Sequence, residues 1–508
     1  MAVSQNDCEM LGESHGQGRS SRTSSILRQA LTCSVGHRDG YAMIEMLPND
    51  VLLEIFGAHR ILSLRHKFLD KFYDCSTWDW DKLVHVCRRW RQLIFASPLR
   101  LSIQLHCTKG VDVKKFLGCW PAFPITLDYT YGKGIGPDDG DNILTALEHS
   151  DRVHHLRLHI TDKQLAKLAT AMQKPFPKLT TLELSRENRS LLGLPPGLLG
   201  RSAPRLQELD FEEILFPNYL LSSRDLVTLR LYGIRLKSIS PETMVTCLAP
   251  LTRLTSLYIG DHFYDSYEST LPSAKLDPAR TRIVLPALTS IEFESDIHYI
   301  EDFVARVDCP QLNSFDLYPR NSSDDIDLQL SQTYKFLDRS DPLLIRFDSV
   351  YAIISFEKIT FRVCCNSDPY NSISITLWGE NWRHSHIFQL FSQFSPLLSN
   401  VHHLTFEYSG IPDRTPTNFD WAHILVAFSA LRSAHICGDH TFLAPALESI
   451  DGEMAARLLP DLDLLFLTDL RRPSVQVGKF CAARQVSGRP VTLVKKYEEF
   501  WERKMSYA

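Results

Sequence analysis

A hexad of the form L-x-x-L-x-L recurs through the middle of this 508-residue chain and limits the folds open to it. Seven copies stand in order, beginning at Val153, Leu179, Leu206, Leu226, Leu254, Leu288 and Leu312. Apolar residues at alternate positions predict a short β-strand with one buried side. Because one short strand cannot bury that side alone, the copies are expected to pack beside one another in a single array.

The spacing of the hexads indicates the kind of array. By subtraction, the starts lie 20 to 34 residues apart, and most intervals fall in or near the roughly 20–29 residues of leucine-rich repeats. Weaker copies begin at Val401, Leu431 and Leu462. Between about residues 326 and 380 the period breaks, and alternating segments at 354–356 and 373–377 predict a β-rich irregular insertion that continues the same sheet.

Both ends of the array have their own patterns. Residues 1–43 are rich in Ser, Gly, Arg and Gln without periodicity, so we expect a disordered N-terminal segment. At the other end, 474–485 is typical of a closing helix and 490–494 of a last strand. A charged helix is expected over 495–504.

Two apolar helices are predicted ahead of the hexads. Pro48 suits the first position of a helix, and the residues that follow it form one apolar face: Val51, Leu52, Ile55 and Phe56. A second helix is expected to start at Asp79 or Asp81 and to stop before Pro98. Its apolar stripe is Leu83, Val86, Cys87, Trp90 and Ile94. A third short helix is expected within 61–73. A unit of this size has too little core to bury all this surface, so part of it must meet the rest of the chain or a partner.

Composition excludes several classes of protein. A formal net charge of -5 and a pI near 6.4 argue against a general nucleic-acid binder. No apolar run approaches the roughly 18 residues of a membrane span, and the first residues lack the apolar core of a signal peptide. The 12 cysteines are scattered without a CxxC pair, which is typical of reduced thiols. We therefore expect an intracellular protein, in the cytoplasm, the nucleus or both, that binds neither nucleic acid nor membrane.

The sequence contains no familiar catalytic motif. It lacks G-x-S-x-G, a Walker A loop and H-E-x-x-H, and the glycine-dense segment 132–140 lacks the spacing of a phosphate-binding loop. His435, Cys437 and His440 lie close together in sequence but match no zinc spacing. We expect no catalytic residue, no metal and no cofactor, and hence a protein that is not an enzyme.

The residues between the hexad leucines form a second pattern. Strand alternation places them on the face opposite the leucines, where eight acidic residues stand against Arg157 and Arg230, with tyrosines between them. One interpretation is an ordinary solvated face of mixed charge. The other is a negative stripe with aromatic anchors that recruits a Lys- or Arg-bearing segment of a substrate protein. Its candidate substrate-binding residues are Glu183, Asp210, Tyr232, Tyr258, Glu292 and Asp316.

The helical region resembles a known module. Leu47-Pro48 at the start of the first helix and the run Val86-Cys87-Arg88-Arg89-Trp90 resemble an F-box. With the segments 99–107 and 118–121 and the irregular hexads that follow, the order over about residues 44–494 resembles the F-box/leucine-rich-repeat families of mushroom-forming (basidiomycete) fungi. The segment 65–80 departs from that pattern because it is longer and more charged than a usual F-box linker.

The resemblance implies a fold and a function. The fold is a trihelical F-box over 44–98 followed by an irregular leucine-rich-repeat horseshoe, an α/β solenoid, over 99–472, with 473–508 closing it. The function is substrate recognition in a Skp–cullin–F-box ubiquitin ligase, with a Skp-family adaptor, through it a cullin, and an unknown protein substrate as partners. Matched to the F-box motif, the adaptor-binding residues are Leu47, Pro48, Val51, Leu52, Ile55, Leu83, Val86, Cys87 and Trp90. The alternative is a non-catalytic leucine-rich-repeat interaction scaffold whose F-box acts outside ubiquitination.

Overall fold

The computed structural model describes residues 43–67, 79–98, 100–101, 103–130, 139–186, 194, 197–214, 224–234, 236–261, 282–320, 328–340, 347–355, 358–378, 384–409, 425–438, 459–468 and 475–496. The chain forms two compact units, Met1–Gln104 and Leu105–Ala508. Among these described residues no helix is both long and apolar enough to cross a bilayer. The predicted disordered segment lies outside them except for Met43.

The N-terminal unit is built from helices. They are α1 (Met43–Met46), α2 (Asn49–Lys67), α3 (Asp79–Val84) and α4 (Arg88–Ala96). Its core is filled by Leu52, Leu53, Phe56, Val84, Ile94, Leu101 and Ile103, all buried. The first predicted helix is confirmed and begins one residue after Pro48. It continues to Lys67, so the part of the expected third helix that is described, 61–67, belongs to α2.

The prediction of one continuous second helix is wrong. The chain leaves the helix after Val84 and re-enters it at Arg88. Cys87 is extended, with φ -154° and ψ 170°, and its Sγ accepts a hydrogen bond from the Trp90 backbone N–H at 3.5 Å. The apolar residues keep their helical spacing across this break. The cap at Cys87 interrupts the helical backbone but does not alter the order of apolar residues in the sequence.

The second unit contains a long, mostly parallel sheet of sixteen strands in a mixed α/β fold. Their order is β1-β2-β3-β4-β5-β6-β7-β9-β11-β14-β13-β12-β15-β16-β17-β18. The first nine strands are β1 (Leu105–Thr108), β2 (Ile125–Tyr129), β3 (Val153–Ile160), β4 (Thr181–Arg186), β5 (Glu208–Glu212), β6 (Thr228–Ile234), β7 (Ser256–Asp261), β8 (Ile283–Val284) and β9 (Ser290–Asp296). The others are β10 (Val307–Asp308), β11 (Ser314–Arg320), β12 (Ser349–Ser355), β13 (Lys358–Cys365), β14 (Asp368–Trp378), β15 (His403–Ser409), β16 (Ser433–Gly438), β17 (Leu464–Thr468) and β18 (Thr492–Lys496). Strands β8 and β10 pair separately.

Every hexad identified in the sequence contributes a strand to this sheet, so that prediction is confirmed. The hexad leucines are buried and stand opposite one another on neighbouring strands, as Leu182 does with Leu209 and Leu229 with Leu257. Burial of these side chains on one face supplies the hydrophobic driving force for the sheet. Strands β1 and β2, which the hexad pattern did not reveal, extend it at one end.

Helices connect the strands and pack on the leucine face. They are α5 (Val113–Cys119), α6 (Asp139–Leu147), α7 (Asp162–Leu168), α8 (Pro241–Leu248), α9 (Ile297–Val304), α10 (Ser331–Arg339), α11 (His384–Gln393), α12 (Ser395–Leu398) and α13 (Val475–Val486). Helix α9, for example, sets the Phe303 ring edge-on to Phe293 of β9, with centroids 5.0 Å apart. The opposite face carries the polar residues of the strands.

The irregular region expected over 326–380 contains the only described antiparallel pairings of the sheet. Strand β13 runs against both β12 and β14, and these two are parallel to β15 and β11. The predicted β-rich insertion in the same sheet is thus confirmed, although it also includes α10. The chain passes from β11 to β12 through α10 and from β14 to β15 through α11 and α12, so both connections span the inserted strands.

The C-terminal end was predicted in part. Helix α13 and strand β18 lie where a closing helix and last strand were expected, and β18 pairs only with β17 among the described strands. The expected helix from residue 495 is wrong at its start, because Lys495 and Lys496 belong to β18. The rest of that segment lies outside the described residues.

Candidate interaction surfaces

The predicted adaptor-binding residues of α2 differ in exposure. Pro48 is exposed, and Leu47, Val51 and Ile55 are half-buried. Leu52 is 1% exposed and belongs to the core of the unit. It can support an interface but cannot contact a partner directly.

The other predicted adaptor-binding residues surround the break between α3 and α4. Val86 is 59% exposed in the turn, whereas Leu83, Cys87 and Trp90 are half-buried. The Trp90 ring packs edge-on against Phe56 with centroids 4.7 Å apart. Trp90 therefore joins α4 to α2, Cys87 caps α4, and Val86 presents an apolar side chain to solvent.

Polar contacts fix the Leu47–Pro48 turn. The Arg89 guanidinium donates to the Leu47 carbonyl at 2.5 Å and to Asn49 Oδ1 at 2.8 Å. Arg100 donates to Asp50 and Glu54 at 3.1 and 2.9 Å. Arg89 thus holds the turn in one position relative to α4, a role that the apolar pattern alone did not reveal.

Two further apolar side chains extend this surface. Ile44 is 53% and Met46 80% exposed on α1. We define the apolar docking surface as Ile44, Met46, Leu47, Pro48, Val51, Ile55, Leu83 and Val86. The apolar pattern of the sequence did not reveal Ile44 and Met46, because α1 is too short for a periodic signal.

The predicted substrate-binding residues lie on the polar face of the sheet, and five of the six fall in one row. Glu183 stands opposite Asp210, and Asp210 stands opposite Arg230. Arg230 is followed by Tyr258, Glu292 and Asp316 on the next three strands. Neighbouring strands are about 4.8 Å apart, so these side chains form a continuous line, which we call the central row. Tyr232 lies two residues beyond Arg230, beside this row.

The carboxyl groups of the central row have raised pKa values. Burial, with repulsion from Glu183 as the next cause, raises the pKa of Asp210 to about 6, although Arg230 opposes the shift. Burial also raises the pKa of Glu183, and burial followed by repulsion from Asp316 raises that of Glu292. The pKa of Asp316 is raised by burial too, against a hydrogen bond from Ser314 and the charge of Arg362.

Arginines offset part of this negative charge. Arg157 approaches Glu183 at 3.3 Å and Asp128 at 3.8 Å. Arg230 lies 3.9 Å from Asp210, and Arg320 lies 2.7 Å from Glu294. The polar face therefore carries acidic and basic side chains together, and the negative stripe that recruits a basic segment stays a prediction.

Tyrosines form a platform beside the carboxylates. The rings of Tyr232 and Tyr258 lie 4.1 Å apart at 32°, and the Tyr258 hydroxyl donates to Glu294 at 3.1 Å. A Cβ at Gly260 would stand 2.9 Å from the Tyr258 ring, so glycine leaves the space that the ring occupies. Aromatic faces beside carboxylates suit cationic side chains.

The described residues contain no group of three or more His, Cys, Asp and Glu side chains placed to hold a metal ion. Cys437 Sγ lies 3.5 Å from His435 Nε2 on the same strand, while His440 lies outside the described residues. Comparison of the chain with protein-family models and with curated proteins gives no match.

Proposed function

We propose that this protein is the substrate-recognition subunit of a Skp–cullin–F-box ubiquitin ligase. In this proposal the N-terminal unit is an F-box that binds a Skp-family adaptor. The second unit is an irregular leucine-rich-repeat solenoid whose polar face binds a protein substrate. The protein performs no chemistry itself and acts by raising the effective concentration of a substrate lysine near the ubiquitin-charged enzyme.

The apolar docking surface is the observation that carries the proposal. Leu52, Phe56 and Ile94 already fill the core of the N-terminal unit, so Ile44, Met46 and Val86 remain exposed beside a turn that Arg89 holds in place. Several large apolar side chains exposed on one small helical unit favour a partner that covers them. The Leu-Pro start and the Val-Cys-Arg-Arg-Trp run, which resemble an F-box, favour a Skp-family adaptor as that partner.

The second unit supports the substrate half of the proposal. Its parallel strands, buried hexad leucines and connecting helices are what a leucine-rich-repeat array requires. The central row and the tyrosine platform supply charge and aromatic anchors on the sheet face opposite the buried hexad leucines. Such a face can select a protein segment by electrostatic complementarity.

Co-purification with an adaptor tests the proposal. The full chain is co-expressed with a Skp-family adaptor, as wild type and as the variant Leu47→Ala/Pro48→Ala. We expect a stable complex for the wild type and about tenfold or greater loss of affinity for the variant, because truncated anchors at the centre of an interface typically cost this much. Val284→Ala is the matched control, since Val284 is an exposed apolar residue, 54% accessible, in the second unit.

Two results would contradict the proposal. One is a wild-type chain, shown to be folded by circular dichroism, that elutes apart from the adaptor. The other is a complex that the double variant forms as well as Val284→Ala does. If the adaptor binds but no cullin joins the complex, the interaction-scaffold alternative is favoured.

A further inference from the structure

A polar cleft lies on the sheet face opposite the buried hexad leucines, where the parallel strands meet the inserted strands. Its volume is about 500 Å³, and its lining includes residues of β9, β11, β13 and β14. Six of its nine lining residues carry a hydroxyl group and none is aliphatic. The cleft is therefore a place for hydrogen bonds rather than for apolar contacts.

The strand register produces the cleft by placing small side chains on a central strand. Ser372 of β14 stands opposite Ser314 of β11. In the next row Ser374 of β14 stands between Asp316 of β11 and Arg362 of β13. Two serines thus lie between strands that carry longer side chains and are separated by about 10 Å, twice the strand spacing.

The two charged residues of the cleft act on each other. Burial raises the pKa of Asp316, and a hydrogen bond from Ser314 and the positive charge of Arg362 oppose that rise. An ionic ligand would have to compete with one of these two charges for the other. A neutral ligand avoids this competition, because it accepts from a guanidinium and donates to a carboxylate while both groups stay charged.

The serine hydroxyls keep hydrogen-bonding capacity that the protein does not use. Ser374 is only 9% exposed, and its hydroxyl makes no hydrogen bond among the described residues although it lines the cleft. Ser372 accepts from Arg362 at 3.5 Å, so its O–H is left to donate. Ser314 donates to Asp316 Oδ2 at 3.0 Å, so its oxygen is left to accept. Because a buried hydroxyl without a partner is unfavourable, these groups favour a ligand that both donates and accepts.

We propose that this cleft binds a neutral saccharide of about two hexose rings. Every hydroxyl of a sugar both donates and accepts, so one ring satisfies Ser314, Ser372 and Ser374 together. Two adjacent hydroxyls donate to Asp316, since a carboxylate accepts several hydrogen bonds. The C–H face of a ring lies against the Tyr318 side chain, which also lines the cleft. The volume of the cleft falls within the roughly 300–1,000 Å³ of small-molecule sites.

A saccharide fits this lining better than an extended peptide does. A peptide presents one N–H and one C=O per residue and needs space for its side chains, whereas the described lining contains no aliphatic side chain to receive them. A sugar ring presents hydroxyls around its whole edge. The inference goes beyond the proposed ligase function, because binding of a saccharide requires no adaptor.

Saturation-transfer difference NMR on the full-length chain tests the proposal. The probes are maltose, cellobiose and lactose, three neutral disaccharides that differ in their linkage or in the configuration of one hydroxyl. We expect a saturable signal from at least one of them. The neutral peptide acetyl-Gly-Ser-Gly-Ser-amide is the comparison and should give no saturable signal.

Two substitutions locate the binding site. Ser374→Val fills the floor of the cleft and removes its hydroxyl, and Asp316→Asn removes a charged acceptor without changing its size. Each should weaken binding at least tenfold, because the loss of a hydrogen bond to a charged group or of a buried polar partner costs about this much. Thr228→Val is the matched control, since Thr228 lies on the same face in β6 but outside the cleft. It also loses one hydroxyl and should bind as the wild type does.

A competitor distinguishes the two sources of such a saccharide. The disaccharide that binds is coupled to albumin through its reducing end and added to the wild-type chain, with plain albumin as the control. Displacement of the free sugar assigns the end of a protein-linked glycan, and no displacement assigns the free saccharide.

The proposal is overturned if a folded wild-type chain gives no saturable signal with any of the three sugars. It is also overturned if Ser374→Val and Asp316→Asn, shown to be folded by circular dichroism, bind as well as Thr228→Val does. Binding of the peptide in place of the sugars would assign an extended polypeptide instead. The assay contains no adaptor, so its failure and the failure of the ligase proposal are separate results.

Discussion

Asp210 shows how the strand register changes the chemistry of a single carboxylate. Alternation along its hexad predicts that the side chain points to the polar face, and it does so. Its raised pKa comes first from burial and next from repulsion by Glu183, while Arg230 opposes the shift. Glu183 and Arg230 lie 27 and 20 residues away in sequence and become neighbours of Asp210 only through pairing of the strands. The alternation of the sequence therefore predicts on which face of the sheet Asp210 lies. The shift in its pKa can be explained only when the pairing of the strands is known.

We predict that Asp210→Asn stabilises the protein at neutral pH. The folded-state pKa of about 6 exceeds the ordinary value of 3.8, so ionisation of Asp210 costs wild-type stability as the pH rises from about 4 to 6. Asparagine avoids this cost. The variant should gain roughly 1 kcal/mol above pH 6.5, after allowance for solvent screening, and little at pH 4.

Urea unfolding at pH 4.5 and 7.5 measures the effect. Asp151→Asn, at an exposed aspartate outside the row, serves as the control and should show no such difference. A gain for Asp210→Asn that is the same at both pH values would mean that ionisation of Asp210 is not its source.

At the scale of elements, apolar periodicity predicted strands better than helices. The hexads predicted ten strands of the sheet, because the buried leucines of each strand pack beside the equivalent residues of the neighbouring strands. The second helix was predicted wrongly because the periodic stripe continues through the cap at Cys87. Strands β1 and β2 were missed because they lack the full hexad, although Ile125, Leu127 and Tyr129 alternate and are buried.

Gly233 allows a local irregularity between β6 and β7. The pairing register shifts between Leu231 and Ile234, and Gly233 has φ +60°, in the left-handed region that favours glycine. A Cβ there would also lie 2.9 Å from the Glu213 carboxylate.

We predict that Gly233→Ala lowers the free energy of unfolding by about 1–2 kcal/mol. Gly118→Ala should instead raise it by up to about 1 kcal/mol, since alanine favours helix and nothing lies within 4 Å of a Cβ at this position in α5. Thermal unfolding followed by circular dichroism compares the two. Equal effects of the same substitution at both sites would exclude a special backbone requirement at Gly233.

At the scale of the whole molecule, the hexads predicted one shared sheet but not the order of its strands. The order β11-β14-β13-β12-β15 depends on which strands the connecting helices cross, and that is decided by packing between distant segments. Phe361 of β13, for example, stacks on Phe394 with centroids 5.7 Å apart. The sequence predicted the central row in outline, because its residues follow the hexads. It did not predict that β13 and β14 lie side by side between β11 and β12.

The C-terminal elements protect one end of the sheet. Strand β18 covers the edge of β17, and buried Arg484 of α13 donates to the Leu462 carbonyl at 3.0 Å. Truncation after residue 474 would expose that edge and the side chains beneath α13.

We predict that this truncated chain self-associates, because loss of the buried side chains of Val477 and Phe480 exposes the apolar residues that pack against them. Light scattering should increase with protein concentration at concentrations where the full chain is monodisperse. Truncation after Lys496 keeps β18 and is the matched control. A shortened chain without α13 and β18 that stays monodisperse would show that they do not protect the sheet.

The two connections that span the inserted strands also contact each other. The Leu330 backbone N–H donates to Gln393 Oε1 at 2.6 Å, and the Leu328 N–H donates to Gln389 Oε1 at 3.2 Å. A strand elsewhere in the sheet can be duplicated or deleted together with its own connection, and its neighbours simply pair again. Residues 328–409 cannot be divided in this way. The connection from β11 to β12 crosses β14 and β13, and the connection from β14 to β15 crosses β13 and β12. Recombination can therefore add or remove single strands on either side of residues 328–409, whereas residues 328–409 must be inherited together.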